Sequence, residues 1–187
     1  MTISNRRGCL RQEYSRIFDE ECVGYAIDDS GIVRRRFDEA FESERTNTIL
    51  TLNAGDLAAA LEHVSSVDRM LLQVPMDGRS AVRGIFDAAE NIFRIMFPTQ
   101  NSLNSAAIRS VLQSSIQARF EGQSPEQQAS LKTVRSFSEW IDAAHFYRHA
   151  DGQTEPSQPS EMTTVVLVGQ GYSFVRWLAS LYHEQHN

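Results

Sequence analysis

The amino-acid sequence predicts an all-α protein, a bundle of about seven helices with a small β-hairpin near the N-terminus. Three observations support this class. Apolar residues recur at helical spacing over most of the chain, and helix-starting residues such as Asp38 and Ser160 precede several of these stretches. Only residues 24–37 contain short β-prone runs around a turn. The hydrophobic share of 41% and charged share of 22% are ordinary for a globular domain with its own core.

The first part of the chain predicts one short helix and then the hairpin. Residues 9–22 carry apolar side chains at helical spacing. Two β-prone runs within 24–37 flank the sequence Asp-Asp-Ser-Gly, in which Gly31 supplies the positive φ of a turn. The outgoing arm carries three consecutive arginines, residues 34–36. A solvated arm is favoured over a ligand site, and the role of these arginines stays open.

Helices are predicted over the rest of the chain. Pro98 ends the strongest of them, because proline cannot continue a helix, and Ser124 with Pro125 provides the N-cap and first position of another. The predicted helices span 38–52, 56–74, 79–97, 103–120, 125–149 and 160–182.

A glycine-rich stretch, residues 163–173, admits a second interpretation as a strand that enters a phosphate-binding loop. The dinucleotide fingerprint would need a small residue where Phe174 stands, and too little chain follows for another strand. A helix is favoured, with Gly169 and Gly171 at positions of close helix contact.

Charge and cysteine content narrow the function classes. The net charge of −6 argues against a broad nucleic-acid or membrane surface, which would rest on an excess of basic residues. Cys9 and Cys22 fit no metal-binding spacing and are interpreted as reduced cysteines of a cytoplasmic protein. No targeting segment and no membrane span is predicted. We expect no metal and no cofactor.

The side chains best suited to chemistry gather at the end of the helix that reaches residue 149. His145, Arg148 and His149 lie within one turn, and the spacing of three and four residues places His145 on a face with each of the others. An arginine can hold a phosphate and a histidine can move protons near neutral pH. Basic residues in a last turn also stabilise the helix dipole and cap free carbonyls, so a purely structural role stays open.

Four segments carry a resemblance to a known family: "AVRGIFDAAENIFRIMF", the helix around "SLNSAAIRSVL", "WIDAAHFYRHADG" and the final apolar helix. Together, over about residues 78–184, they resemble the helical C-terminal domain of bacterial abortive-infection proteins, which belong to the HEPN superfamily. The resemblance implies an up-and-down bundle that often forms homodimers. It also implies two domains: residues 1–77 with the hairpin, and the HEPN-like bundle at 78–187.

The resemblance further implies roles for individual residues. Active members of the family cut RNA without a metal, through an arginine and a histidine that are separated by four to six residues. Carried over, Arg148 would hold the scissile phosphate, His149 or His145 would transfer protons, and Glu90 would orient Arg148 or His149. The sequence departs from the motif, because positions 153 to 155 hold Gln, Thr and Glu.

Three functions therefore remain. The first is a non-catalytic, dimerising or partner-binding module of a bacterial defence system of the abortive-infection or toxin–antitoxin type. The second is a metal-independent ribonuclease that uses Arg148 and His149. The third is a nucleotide sensor, in which Arg148 and Tyr147 contact phosphate and base. Tyr147 and Arg83 are the candidate substrate-binding side chains, and Arg83 also has an i,i+4 partner in Asp87.

Overall fold

The computed structural model describes most of the chain. The described residues are 12–18, 20–21, 24–27, 31, 33–54, 57–119, 124–148 and 157–186, and nothing is described of the Arg34 side chain. Cys9, Cys22, His149 and the predicted loop at 151–156 lie outside these ranges. The chain divides into two compact units, Met1–Glu42 and Ser43–Asn187.

The first unit contains a helical segment and the predicted hairpin strands. Residues 12–18 are helical. Strands β1 (Tyr25–Ile27) and β2 (Val33–Arg35) pair antiparallel, with Tyr25 opposite Arg35. Gly31 has a φ of 81°, the left-handed conformation for which glycine was predicted. The Asp38 carboxylate accepts the Phe41 N–H at 2.9 Å and so caps helix α1 (Glu39–Asn53) as predicted.

The second unit consists of the rest of α1 and five further helices. Helix α2 is Ala58–Leu71 and α3 is Gly78–Met96. Helix α4 has three segments, Ser105–Ala107, a π-helical turn Ile108–Leu112, and Gln113–Arg119. Helix α5 is Pro125–Arg148 and α6 is Glu161–His186. With residues 12–18 the described part of the chain has seven helices, which confirms the all-α bundle.

Side-chain caps begin four further helices, and two of them, Ser124 and Ser160, were predicted from the sequence. Asp77 accepts the Ser80 N–H at 3.0 Å at the start of α3, and Asn104 accepts the Ala107 N–H at 2.9 Å at α4. The hydroxyls of Ser124 and Ser160 each accept a backbone N–H at 3.1 Å at the starts of α5 and α6. These oxygens satisfy backbone donors that a helix cannot pair internally.

Helix α3 is the centre of the core. Ten of its residues are buried, and it packs against α2, α5 and α6. Two glycines allow the closest approaches. A Cβ at Gly171 on α6 would lie 2.6 Å from Ile85 and 2.8 Å from Trp140, and one at Gly84 would lie 3.0 Å from Val67 on α2. The continuous α6 confirms the helical interpretation of residues 163–173.

The division of the chain differs from the sequence-based one. The predicted boundary was at residue 77, whereas the compact units meet between Glu42 and Ser43. The reason is packing: the apolar face of α2, including Val64 and Val67, lies against α3 and is completely buried. Among the described helices, none combines the length and apolar character needed to cross a bilayer.

Candidate functional site

Helices α3 and α5 bring the predicted site residues together at one end of the bundle. Arg83, Phe86, Asp87 and Glu90 are three or four residues apart on α3 and therefore share one face. Arg148 is the last residue of α5 and lies over that face. We refer to these residues together with His145 as the Arg148 cluster.

The guanidinium of Arg148 is engaged on three sides. Its Nη2 donates to Glu90 Oε2 at 2.9 Å, and its Nε lies 3.9 Å from Asp87 Oδ1. The Cζ atom is 4.3 Å from the centre of the Phe86 ring, a cation–π contact. The Arg148 side chain is 22% exposed. Its charge is thus compensated inside the bundle, on a completely buried aromatic ring.

Glu90 connects three parts of the unit. While Oε2 accepts from Arg148, Oε1 accepts the backbone N–H of Leu103 at 2.9 Å, just before α4. The Glu90 side chain is 15% exposed. A carboxylate with both oxygens bonded to α5 and to the α3–α4 connection contributes to the structure whether or not it also has a functional role.

Asp87 is less well compensated than Glu90. Besides the contact with Arg148, its Oδ2 lies 3.7 Å from Nε of Arg83, which is 65% exposed. Burial raises the pKa of the Asp87 carboxyl above its ordinary value, and the nearby Glu90 raises it further. Arg148, Arg83 and His63 on α2 act in the opposite direction on this pKa but do not cancel the effect of burial.

His145 and Tyr147 lie beside the cluster. The His145 ring packs edge-on against the Phe86 ring, with 5.2 Å between centres. Tyr147 contributes its backbone carbonyl, which accepts from Nε of Arg79 at 2.9 Å. The backbone N–H of Arg79 in turn donates to the Gln158 side chain at 3.2 Å, so the start of α3 is joined to the segment before α6.

The structure therefore brings together His145, Arg148, Glu90 and Arg83, whereas His149 lies outside the described residues. Sequence reasoning missed Phe86 as the support of Arg148, and it saw Asp87 only as a partner of Arg83. The i,i+3 and i,i+4 spacings on α3 were a usable signal for both. For His63 and Arg79 there was no signal, because their positions depend on how separate helices pack.

In the part of the chain that is described, no group of three or more His, Cys, Asp or Glu side chains is arranged to hold a metal ion. The chemistry available to the Arg148 cluster itself is that of two guanidinium groups, one imidazole and two carboxylates. Such a set can bind an anion or transfer protons, provided that the guanidinium of Arg148 becomes available.

Comparison of the chain with protein-family models, with curated proteins and with solved structures finds no match.

Proposed function

We propose that this chain is a HEPN-like, non-catalytic module that acts by association, first with a second copy of itself, in a bacterial defence system of the abortive-infection or toxin–antitoxin type. The family and its biological setting rest on the resemblance of residues 78–184. The non-catalytic part of the proposal rests on the geometry of the Arg148 cluster.

One observation carries this choice: the guanidinium that would have to hold a scissile phosphate is bonded to Glu90 at 2.9 Å. A phosphate bound by the remaining N–H donors of Arg148 would lie beside the carboxylates of Glu90 and Asp87, whose negative charges repel it, on a side chain that is only 22% exposed. The His145 ring packs on Phe86 beside the same guanidinium. These contacts are those of a structural ion pair that joins α3 to α5.

A metal-independent ribonuclease is the second candidate, and Asp87 is the observation in its favour. Its carboxyl lies within 4 Å of Arg148 and Arg83, and burial raises its pKa towards the range useful for proton transfer. In this case Arg148 and Arg83 would contact the phosphate, and Asp87 or a histidine at residue 145 or 149 would exchange protons.

The deciding experiment compares purified wild type with an Arg148→Ala/His149→Ala variant on labelled single-stranded RNA of mixed sequence in EDTA. We expect no cleavage by either protein. Arg109→Ala is the matched control, since it removes an exposed arginine of α4 outside the Arg148 cluster. Circular dichroism confirms that each variant is folded.

Cleavage by wild type that the double variant lacks, while remaining folded, would overturn the non-catalytic proposal and establish the ribonuclease. Sedimentation equilibrium of the wild type tests association in the same preparation, and we expect a monomer–dimer equilibrium. A strictly monomeric wild type would overturn the proposed self-association. Retention of a labelled nucleotide without turnover would instead indicate the nucleotide-sensing function.

A further inference from the structure

Helix α5 has one face that is exposed in the part of the chain that the structure describes. It consists of Gln128, Lys132, Arg135, Glu139, Asp142 and Phe146, and all six side chains are exposed. Their spacing alternates between four and three residues, which keeps them in one row along the helix. The opposite side, with Phe137 and Ile141, is buried in the core. We call this row the outward face of α5.

The charges on the outward face are separated along the helix. Lys132 and Arg135 occupy its first half, and Glu139 and Asp142 occupy its second half. Lys132 with Arg135, and Glu139 with Asp142, are like charges three residues apart, which repel each other on a helix. Arg135 and Glu139 are opposite charges four residues apart, the one favourable spacing within the row. Among the described residues, Lys132, Arg135 and Glu139 have no salt-bridge partner. Asp142 accepts a hydrogen bond from Ser105 at 2.5 Å.

The row of charges on the outward face is complementary to the same row running in the opposite direction. Arg135 and Glu139 lie two residues on either side of position 137, and Lys132 and Asp142 lie five residues on either side. At 1.5 Å per residue, each basic group is as far from that centre as its acidic counterpart. A two-fold axis through the level of residue 137 therefore places opposite charges against each other.

We propose that the outward face of α5 pairs with the same face of a second copy of this chain, in antiparallel orientation. Arg135 then faces Glu139 of the partner subunit, and Lys132 faces Asp142 of the partner subunit. Each pair occurs twice by symmetry. A parallel arrangement would instead place like charges together. This inference rests on the proposed self-association and specifies the surface that performs it.

Phe146 gives the pairing an apolar contact at each end. Its side chain is 78% exposed at the end of the row, and the same two-fold axis places it against the partner's Gln128. Exposed ion pairs are individually weak and are screened by salt. We therefore expect a weak dimer whose dissociation constant rises about tenfold between about 0.05 M and about 0.5 M NaCl.

Charge reversal of the full-length protein tests the pairing by sedimentation equilibrium at low salt. Arg135→Glu and Glu139→Arg should each raise the dissociation constant about tenfold or more, because each creates two like-charge contacts in the dimer. An equimolar mixture of the two variants should recover dimerisation, and so should the double variant Arg135→Glu/Glu139→Arg. Arg109→Glu is the matched control, with the same charge change on an exposed residue of α4.

The outcomes separate this inference from the proposed function. If wild type dimerises and Arg135→Glu weakens the dimer no more than Arg109→Glu does, the chain self-associates through another surface and the pairing of α5 is wrong. If wild type remains monomeric at low salt, the proposed self-association itself is wrong, and the pairing of α5 is then wrong as well. Weakening by each single variant supports the antiparallel arrangement, since parallel helices would place like charges together at positions 135 and 139 in wild type and in the single variants alike. Recovery in the mixture then shows that the effect comes from charge pairing between the two copies.

Discussion

Two ion-pair clusters join the helices of the second unit, and they differ in how completely their carboxylates are paired. In the first, Asp68 on α2 accepts from Arg45 on α1 at 2.8 Å and from the hydroxyl of buried Tyr172 on α6 at 3.2 Å. Each Asp68 oxygen thus has a close donor. In the Arg148 cluster, two carboxylates share one close guanidinium, and Asp87 receives only contacts of 3.7 and 3.9 Å.

The difference indicates which of the two clusters contains an incompletely paired carboxylate that is available for chemistry. A carboxylate with a donor on each oxygen is held in one geometry and stabilises the three helices that it joins. An under-compensated carboxylate responds to pH and to nearby charge. Neighbouring contacts reinforce the Asp68 cluster: Glu44 on α1 accepts from Arg176 at 2.8 Å and from Ser173 at 3.1 Å, both on α6.

The largest effect is expected from Glu90→Ala, which would lower the free energy of unfolding by about 3 kcal/mol. The variant leaves a largely buried Arg148 without its close carboxylate and the Leu103 N–H without its acceptor. Urea unfolding followed by circular dichroism measures the change. Exposed Glu62 on α2 provides the control, and its alanine variant should change stability by less than about 0.5 kcal/mol.

A second variant tests whether the loss of stability comes from the unpaired charge of Arg148 or from removal of the Glu90 side chain itself. Arg148→Met in the Glu90→Ala background should recover part of the loss, because the positive charge of Arg148 is then no longer left without its close carboxylate. Equal losses for Glu90→Ala and Glu62→Ala would show that the ion pair contributes nothing to stability, which would remove the structural argument for a non-catalytic Arg148.

A smaller effect is expected in the Asp68 cluster from Tyr172→Phe, which should cost about 1 kcal/mol. The substitution removes the hydroxyl that donates to Asp68, while the ring remains in the core and Arg45 keeps its own bond. The same unfolding measurement applies, with Tyr182→Phe as the control for a partly exposed tyrosine. A loss larger than that of Glu90→Ala would reverse the order of the two clusters.

The fold followed from local signals in the sequence. The capping roles of Asp38, Ser124 and Ser160 were confirmed, and so was the helix through Gly171, because helix starts and apolar periodicity are properties of neighbouring residues. The π-helical turn Ile108–Leu112 was not foreseen within the predicted helix 103–120. The sequence around it contains no proline or glycine to mark it.

The site was only partly predictable, because local signals in the sequence describe single helices and not the packing between them. The convergence of His145 and Arg148 followed from their spacing on α5, and the facing position of Glu90 was an expectation from the family resemblance. The stacking of Arg148 on Phe86 and the proximity of His63 to Asp87 depend on how α2, α3 and α5 rotate against each other. Helical periodicity defines the buried face of each helix, but ridge-and-groove packing decides which residues meet.

The smallest expected effect is the pH dependence of stability that the Asp87 carboxyl causes, and it is the most informative about the Arg148 cluster. Its carboxyl faces Arg148 on α5, Arg83 and Glu90 on α3, and His63 on α2, and burial raises its pKa above the ordinary 3.8. The folded state therefore holds the proton more tightly than the unfolded state does. The ionised Asp87 carboxylate therefore destabilises the folded state. This effect is absent below pH 3.8, grows as pH rises through the raised pKa, and is complete above it.

Asp87→Asn removes that titration, because an amide resembles the protonated carboxyl. We expect wild type to lose stability relative to the variant as pH rises from 3.8 through the raised pKa of Asp87, and Tm measured at several pH values gives the difference. Asp68→Asn, treated identically, is the matched substitution in the other cluster, where each carboxylate oxygen accepts a close hydrogen bond. Parallel curves for wild type and Asp87→Asn would show that Arg148 and Arg83 compensate Asp87 fully, and the two clusters would then be equivalent.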